Sequence, residues 1–150
     1  MREIIFRAKR KDNGEWVQGY LVKMFSVLNI MDKNNENIVY EIIPETVGQF
    51  TGLTDKNGKK IFEGDIVRYC DEECYYYPED CTEFFGKVVQ ECGAFGIGAD
   101  KELPLELENW CNNDNFVSLW EIYWNLNCCD GELPMLEVVG NSHDNPELLE

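Results

Sequence analysis

The chain has 150 residues and carries 13 Lys and Arg against 29 Asp and Glu, for a net charge of −16. This length fits a single domain over residues 1–150, with a core large enough to fold without disulfides or metal. No apolar run reaches the roughly 18 residues needed to cross a bilayer, and no secretory leader pattern precedes the first apolar run. We therefore expect a cytoplasmic protein.

The negative charge is concentrated in the second half of the chain. Residues 1–68 carry 11 Lys and Arg against 10 Asp and Glu, whereas residues 69–150 carry 2 against 19. The net charges of the two halves are therefore +1 and −17. Such a field repels nucleic-acid phosphates and membrane surfaces, and it favours basic protein partners. Solubility is the plainer interpretation of the same charge.

The seven cysteines are an odd number and contain no CxxC pair, which fits neither a secreted disulfide framework nor the usual zinc-ribbon spacing. We interpret them as reduced thiols. Cys70, Cys74 and Cys81 are close enough in sequence to be weak candidates for a zinc site, although their spacing matches no established structural site.

The first predicted elements are the strands of a β-hairpin, over residues 2–9 and 15–22, joined by a turn that ends at Gly14. Trp16 and Tyr20 share one face of the second strand, and the other face is also partly apolar. A strand with two apolar faces belongs inside a barrel or sandwich, or at an interface. Trp16 and Tyr20 are therefore candidate interaction residues.

A second hairpin is predicted from the apolar run at 23–30, a polar turn cluster at 32–37, and a strand at 38–43 that Pro44 limits.

The densest structural signal is the stretch from Gly48 to Tyr69, GQFTGLTDKNGKKIFEGDIVRY. Asp55 and Asn57 can bond to the main chain of a turn, and Gly58 supplies a positive φ. Strands are expected on both sides of this turn. A second break at Gly64 and Asp65 follows Ile61 and Phe62, and the acids of this break can cap main-chain N–H groups.

The segment of about residues 70–85 is an acidic insertion rich in cysteine and aromatic residues. Tyr75, Tyr76 and Tyr77 could form an aromatic patch for a partner, or the insertion could pack onto its own domain. The glycines at 93–98 indicate a bulge or a strand bend and not a phosphate loop, because no Lys-Ser/Thr follows and the neighbours are acidic. About residues 99–117 are expected to form an acidic, loop-rich segment.

Residues 118–128, SLWEIYWNLNC, alternate in a period of two that predicts a strand with Trp120 and Trp124 on one face. A turn at 130–131 leads into a last strand at 136–139. Asn145 and Pro146 then predict a short helical turn at the C-terminus.

No catalytic constellation is evident in the sequence, and no cofactor is predicted. His143 is the only histidine, and it lies in a polar turn that favours a surface role over acid-base catalysis. Acidic residues are so abundant that neighbours such as Asp71 and Glu72 do not by themselves indicate a metal or hydrolytic site.

Three blocks of sequence resemble the YopX family of phage and prophage proteins. They are REIIFRA at 2–8, GQFTGLTDKNGK with IFEGDIV at 48–67, and EVVGN with NPELL at 137–149. The resemblance implies a mostly-β domain related to SH3-type barrels, a phage or prophage origin in a bacterial host cell, and homo-oligomerisation. It supplies no catalytic residues, and it covers neither the insertion at 70–85 nor residues 99–130.

Together these features predict a mostly-β fold: a small SH3-like barrel with long insertions and a short C-terminal helical turn. The leading functional hypothesis is a non-enzymatic module that acts through protein contacts, including contacts with itself. Its motive is surplus apolar surface, more than a small barrel core can enclose, at Trp16, Tyr20, Trp110, Trp120, Trp124 and the run from Tyr75 to Tyr77. The alternatives are an acidic decoy that occupies the nucleic-acid groove of a basic host protein and a carboxylate-dependent hydrolase.

Overall fold

The computed structural model describes residues 3–70, 83–99, 103, 107 and 115–150. The predicted mostly-β class is confirmed. The chain divides into two compact units, Met1–Gly52 (unit 1) and Leu53–Glu150 (unit 2), and the strand β5, Gly48–Asp55, runs across the boundary. Within the described part of the chain, no helix is long and apolar enough to span a membrane.

Unit 1 is built from an antiparallel sheet in which consecutive strands are neighbours. Its strands are β1 Phe6–Lys9, β2 Trp16–Met24, β3 Val27–Asp32 and β4 Val39–Glu41, and the start of β5 pairs with β1. Both predicted hairpins are therefore present, although β2 extends to Met24 and the run predicted at 23–30 is divided by a turn. A short 3-10 helix, Pro44–Thr46, follows β4.

The sheet of unit 1 curls back on itself at one corner. Arg10 and Ile42 form an isolated antiparallel bridge, the Ile43 N–H donates to the Lys9 carbonyl (2.9 Å), and the Lys11 N–H donates to the Glu41 carbonyl (3.0 Å). Ala8, Ile30 and Ile42 are buried at the centre of the curl. This is a partial closure, and no closed barrel is found among the described residues.

The described strands of unit 2 are β6 Lys60–Phe62, β7 Asp65–Tyr69, β8 Phe84–Glu91, β9 Ala94–Gly98, β10 Phe116–Ser118, β11 Glu132–Leu133 and β12 Leu136–Asn141. Five of them form an antiparallel sheet in the order β10-β9-β8-β7-β12. The end of β5 pairs with β6 and, in parallel, with β11. The predicted C-terminal helical turn is a 3-10 helix, Pro146–Leu149.

The prediction of a strand over residues 118–128 is wrong. After β10 the chain forms a helix, α1 Leu119–Asn125, whose N-terminus is capped by the Ser118 hydroxyl, which accepts from the Trp120 N–H (3.1 Å). Leu119 and Ile122, three positions apart, are the buried residues of this helix. A helical period of three to four also fits the apolar residues here, so the alternation did not distinguish a helix from a strand. The predicted strand would place Ile122 on the same face as Trp120 and Trp124. The helix instead buries Ile122 and leaves both tryptophans exposed.

The core of unit 2 lies between this sheet and α1. Its fully buried members include Tyr69, Ile97, Leu107, Ile122 and Leu136. The Tyr123 hydroxyl accepts from the Gly131 N–H (3.4 Å), which connects α1 to the turn before β11.

A buried aspartate organises the turn between β5 and β6. Asp55 is fully buried; its Oδ1 accepts from the N–H groups of Asn57 and Lys59 (both 2.9 Å), and its Oδ2 accepts from the Val138 N–H (2.9 Å). Gly58 closes the turn with φ 75°. One side chain thus shapes the turn and attaches it to β12.

The second turn uses the same device. The Asp65 Oδ2 accepts from the Phe62 N–H (2.8 Å), and the intervening Gly64 has φ 89°. The Gly64 N–H donates to the Val88 carbonyl, and its carbonyl accepts from Ser142 (both 2.8 Å). The turn is therefore attached to β8 and to the residue after β12.

Replacing Asp55 with alanine tests how much the buried carboxylate stabilises the fold. Three main-chain N–H groups lose their acceptor, and we expect the free energy of unfolding to fall by roughly 3 kcal/mol, measured by urea denaturation. Asp55→Asn keeps the shape of the side chain but has only one accepting oxygen, so its free energy of unfolding should fall by less than that of Asp55→Ala.

Asp32→Ala is the matched control. The Asp32 Oδ1 also accepts from two main-chain N–H groups, those of Asn34 (2.8 Å) and Asn35 (3.1 Å), but these bonds are exposed and water can replace them. The free energy of unfolding of Asp32→Ala should therefore fall by less than about 1 kcal/mol. Equal losses in Asp55→Ala and Asp32→Ala would contradict the assigned role.

Candidate interaction surfaces

The large apolar side chains that remain exposed concentrate at two places in the described chain. One is the β2–β3 hairpin and the other is α1. The exposed residues are Ile4, Tyr20, Met24, Phe25, Val27, Ile38, Trp120 and Trp124. Clusters of exposed apolar side chains indicate contact surfaces, whereas single ones do not.

The first surface is the end of the β2–β3 hairpin, Met24 to Val27, which we call the hairpin tip. Met24 and Val27 are paired across the strands, and Phe25 and Ser26 form a two-residue turn with φ 52° and φ 66°. Phe25 is 96% exposed. Two-residue hairpin turns with both φ values positive favour Asn-Gly, so a phenylalanine here is unusual.

An apolar hollow lies next to the hairpin tip in unit 1. Its volume is about 630 Å³, and it is lined by Lys11, Lys23, Ser26, Val27, Leu28, Glu41, Ile42, Ile43, Pro44 and Glu45. The apolar members come from one end of the β3–β4 pairing, where the start of β3 meets the residues that follow β4, and from Pro44 at the start of the 3-10 helix. Two lysines and two glutamates balance the charge of the lining.

The two predicted interaction residues on β2 differ in accessibility. Trp16 is half-buried, and its ring faces Arg7 at 4.9 Å and Lys9 at 5.4 Å, both from β1 of the same sheet. Tyr20 is 45% exposed and pairs with Met31 on the neighbouring strand. Trp16 therefore already has cationic partners within its own sheet, whereas Tyr20 faces solvent on the strand that leads to the hairpin tip.

The second surface is formed by Trp120 and Trp124 on α1, which we call the Trp pair. The two indole rings are stacked with centroids 6.0 Å apart, and Trp120 also stacks on Tyr123 at 5.6 Å. Trp120 is 59% exposed and Trp124 is 69% exposed. One side of the helix thus anchors the core, and the other presents two large aromatic rings.

Several predicted site residues lie outside the described residues. They are Cys74, Cys81, the tyrosines Tyr75, Tyr76 and Tyr77, and Trp110. Of the proposed zinc trio only Cys70 is described, and it is half-buried directly after β7. Within the described ranges, no group of three or more His, Cys, Asp or Glu is placed to hold a metal ion.

His143 lies exposed in the turn between β12 and the C-terminal 3-10 helix. Its main-chain N–H donates to the Asn141 Oδ1 (3.0 Å), as does the N–H of Asp144 (3.0 Å). This arrangement builds a turn at the surface.

The main polar cluster of unit 2 is an ion-pair network on β7 and β12. Glu137 pairs with Arg68 and with Lys56 (3.3 Å), and Arg68 also contacts Glu83 (3.3 Å). Burial acts to raise the pKa of Glu137, but the hydrogen bond from Lys56 and the charge of Arg68 outweigh it and leave the pKa lowered. The network supports the β7–β12 pairing and keeps Glu137 ionised.

The Cys128 thiol of unit 2 does not have the environment of an activated cysteine. Burial, followed by the neighbouring Cys129, raises the pKa of Cys128, which favours the neutral thiol. Cys92 is exposed at the β8–β9 turn with φ 49°. A reactive cysteine needs a lowered pKa, so Cys128 does not fit a nucleophile.

Sequence reasoning missed Phe25. The run from Lys23 to Ile30 contains no Gly, Asn, Asp or Pro at the turn, and its β-branched and aromatic residues read as one continuous strand. The only available signal was length, since β2 and β3 joined without a turn would exceed the usual strand.

Known proteins support the fold and the family. No curated protein matches the chain. Among solved structures, the crystal structure of protein EF1440 from Enterococcus faecalis matches with a TM-score of 0.51 and 23% sequence identity, covering 100% of both chains. At that identity the similarity supports the fold alone. The model of the YopX protein family matches residues 5–150, and the chain therefore belongs to the YopX family.

Proposed function

We propose that this protein is a non-enzymatic interaction module that associates with copies of itself through the hairpin tip. The observation that carries the proposal is Phe25, which is 96% exposed and held at a positive φ. The module is expected to act in the cytoplasm of a bacterial host cell, as the phage and prophage resemblance implies.

The conformation of the tip is costly for the isolated chain. A residue with a side chain in left-handed geometry costs roughly 1–2 kcal/mol, and both Phe25 and Ser26 adopt it. An exposed phenylalanine recovers little of that cost through its own fold. Strained residues of this kind persist where they serve a contact, which supports a binding role for the tip.

The hollow beside the tip makes the surface self-complementary. A protruding aromatic ring and an apolar hollow of about 630 Å³ lie side by side in unit 1. In a two-fold dimer each copy can place its Phe25 in the hollow of the other, so that one pair of surfaces forms both contacts. Val27, Ile43 and Pro44 offer accessible apolar side chains for such a ring.

Charge supports unit 1 over unit 2 as the self-contact. Residues 1–52 carry 7 Lys and Arg against 7 Asp and Glu, a net charge of 0, whereas residues 53–150 carry 6 against 22, a net charge of −16. Two copies of the acidic unit repel each other, while two neutral units do not. Self-association through the hairpin tip avoids that repulsion.

Replacing Phe25 with asparagine tests the self-contact. Asparagine tolerates the left-handed turn, so the hairpin is retained and the unfolding free energy should stay unchanged or rise by up to about 1 kcal/mol. Wild-type protein should show concentration-dependent mass in light scattering at micromolar concentration, and Phe25→Asn should remain a monomer.

Ile4→Ser is the control, because Ile4 is a 54% exposed apolar residue outside the hairpin, and its removal should leave the assembly intact. A strictly monomeric wild type, or an assembly unchanged in Phe25→Asn, would refute self-association through the tip.

An acidic decoy is the second candidate function, and the net charge of −16 on residues 53–150 favours it. In this hypothesis the acidic unit occupies the basic nucleic-acid groove of a host protein and excludes the phosphate backbone. The hydrolase alternative gains no such support, because the buried carboxylates of Asp55 and Asp65 are bound to main-chain N–H groups of their own turns.

Capture from bacterial lysate at low and high salt tests the decoy. Nucleic-acid enzymes should be retained at low salt, be released at high salt, and be displaced from the protein by added duplex DNA, because the competing contacts are electrostatic. Partners that resist both salt and DNA would contradict the decoy.

A further inference from the structure

Two aromatic side chains of unit 1, Trp16 and Tyr40, face cations from the same unit. The ring of Trp16 faces Arg7 and Lys9, and the ring of Tyr40 faces Arg10 at 4.4 Å. Cations near ring faces are attracted by the negative π-face. The Trp pair of unit 2 has no such cation among the described residues, although its rings are the most exposed indoles described.

The chain around the Trp pair contains no lysine or arginine to fill this position. Residues 115–150, all of which are described, include seven acids and no Lys or Arg. Asp130 and Glu132 are exposed on either side of Gly131, whose N–H donates to the hydroxyl of Tyr123 in the aromatic stack. Two accessible indoles therefore lie within an uninterrupted stretch of negative charge.

From this combination we infer that the Trp pair is the docking site for an arginine-rich segment of a partner protein. The inference rests on the proposed function as an interaction module and names a partner class for unit 2. Guanidinium groups are planar and stack on indole faces while their charge is attracted by carboxylates nearby. A surface with exposed indoles, in a described stretch that contains acidic residues and no basic ones, matches both properties.

A second copy of the chain is a poor source of the arginine. Among the described arginines, Arg7 and Arg10 already face aromatic rings, and Arg68 is paired with Glu83 and Glu137. The negative charge of unit 2 also opposes its approach to another unit 2. The occupant is therefore a different protein, which separates this surface from the hairpin tip.

The test measures binding of a dye-labelled peptide of alternating glycine and arginine to the full chain by fluorescence polarisation. The variant Trp120→Leu with Trp124→Leu keeps apolar surface at both positions but removes the indole rings. Because each cation–π contact at an exposed site is weak, the variant should bind roughly tenfold less tightly at both low and physiological salt. The peptide with lysine in place of arginine should bind less tightly, and the peptide with glutamine should not bind.

Two controls separate the indoles from general acidity and from misfolding. Asp130→Asn with Glu132→Gln should weaken binding mainly at low salt, since it removes screened charge only. Thermal unfolding should show that the leucine variant is folded, and Trp124→Leu alone, at the more exposed position, should give an intermediate loss.

The inference is overturned if the leucine variant binds the arginine peptide as tightly as wild type, or if the glutamine peptide binds equally well. It is also overturned if the leucine variant loses self-association in light scattering, because the Trp pair would then be the self-contact. If Phe25→Asn loses self-association but still binds the peptide, the result supports both the self-contact at the hairpin tip and peptide binding at the Trp pair. If the wild type is a monomer and binds the peptide, only self-association through the hairpin tip is refuted.

Discussion

The Asp55 carboxylate joins the β5–β6 turn to the last strand, β12. It accepts from two N–H groups of its own turn and from that of Val138, 83 residues further along the chain. A buried carboxylate that loses such donors is strongly destabilising, and so are donors that lose their acceptor. The β5–β6 turn and the last strand are joined at this position, which lies within the central block of family resemblance.

The two candidate surfaces differ in the way each unit uses its aromatic residues. Unit 1 is neutral and satisfies Trp16 and Tyr40 with its own cations, leaving an aliphatic and phenyl surface at the hairpin tip. Unit 2 is acidic and leaves Trp120 and Trp124 open. The two proposed surfaces therefore differ in chemistry, one being suited to apolar contact and the other to cationic contact.

Much of the fold could be predicted because local chemistry specified it. Asp55, Gly58, Gly64 and Asp65 mark turns by properties that act within a few residues, and the strands between them follow from β-branched and aromatic residues. The connection from Asp55 to Val138 could not be predicted, since no local pattern reports a contact across most of the chain. The SH3-like relation and the single domain stay predictions.

The candidate surfaces were less accessible to sequence reasoning. From Leu119 to Leu126 the apolar residues fit a period of two, as in a strand, and also a period of about three and a half, as in a helix. The segment is a helix that buries Leu119 and Ile122 in the core. At Phe25 the turn has no glycine, asparagine, aspartate or proline, so only the pairing of Met24 with Val27 reveals it. Trp16 and Tyr20 were recognisable as surface candidates, but the cations facing Trp16 come from another strand.

The corner at which Arg10 bridges Ile42 has a consequence for how unit 1 meets other molecules. A free strand edge invites further strands to add, and long flat edges template fibres. Here β4 is only three residues long, and the backbone just beyond it is occupied by residues 9–11. At that corner the described main chain is therefore largely paired, so contacts made there depend on side chains and growth by strand addition is disfavoured.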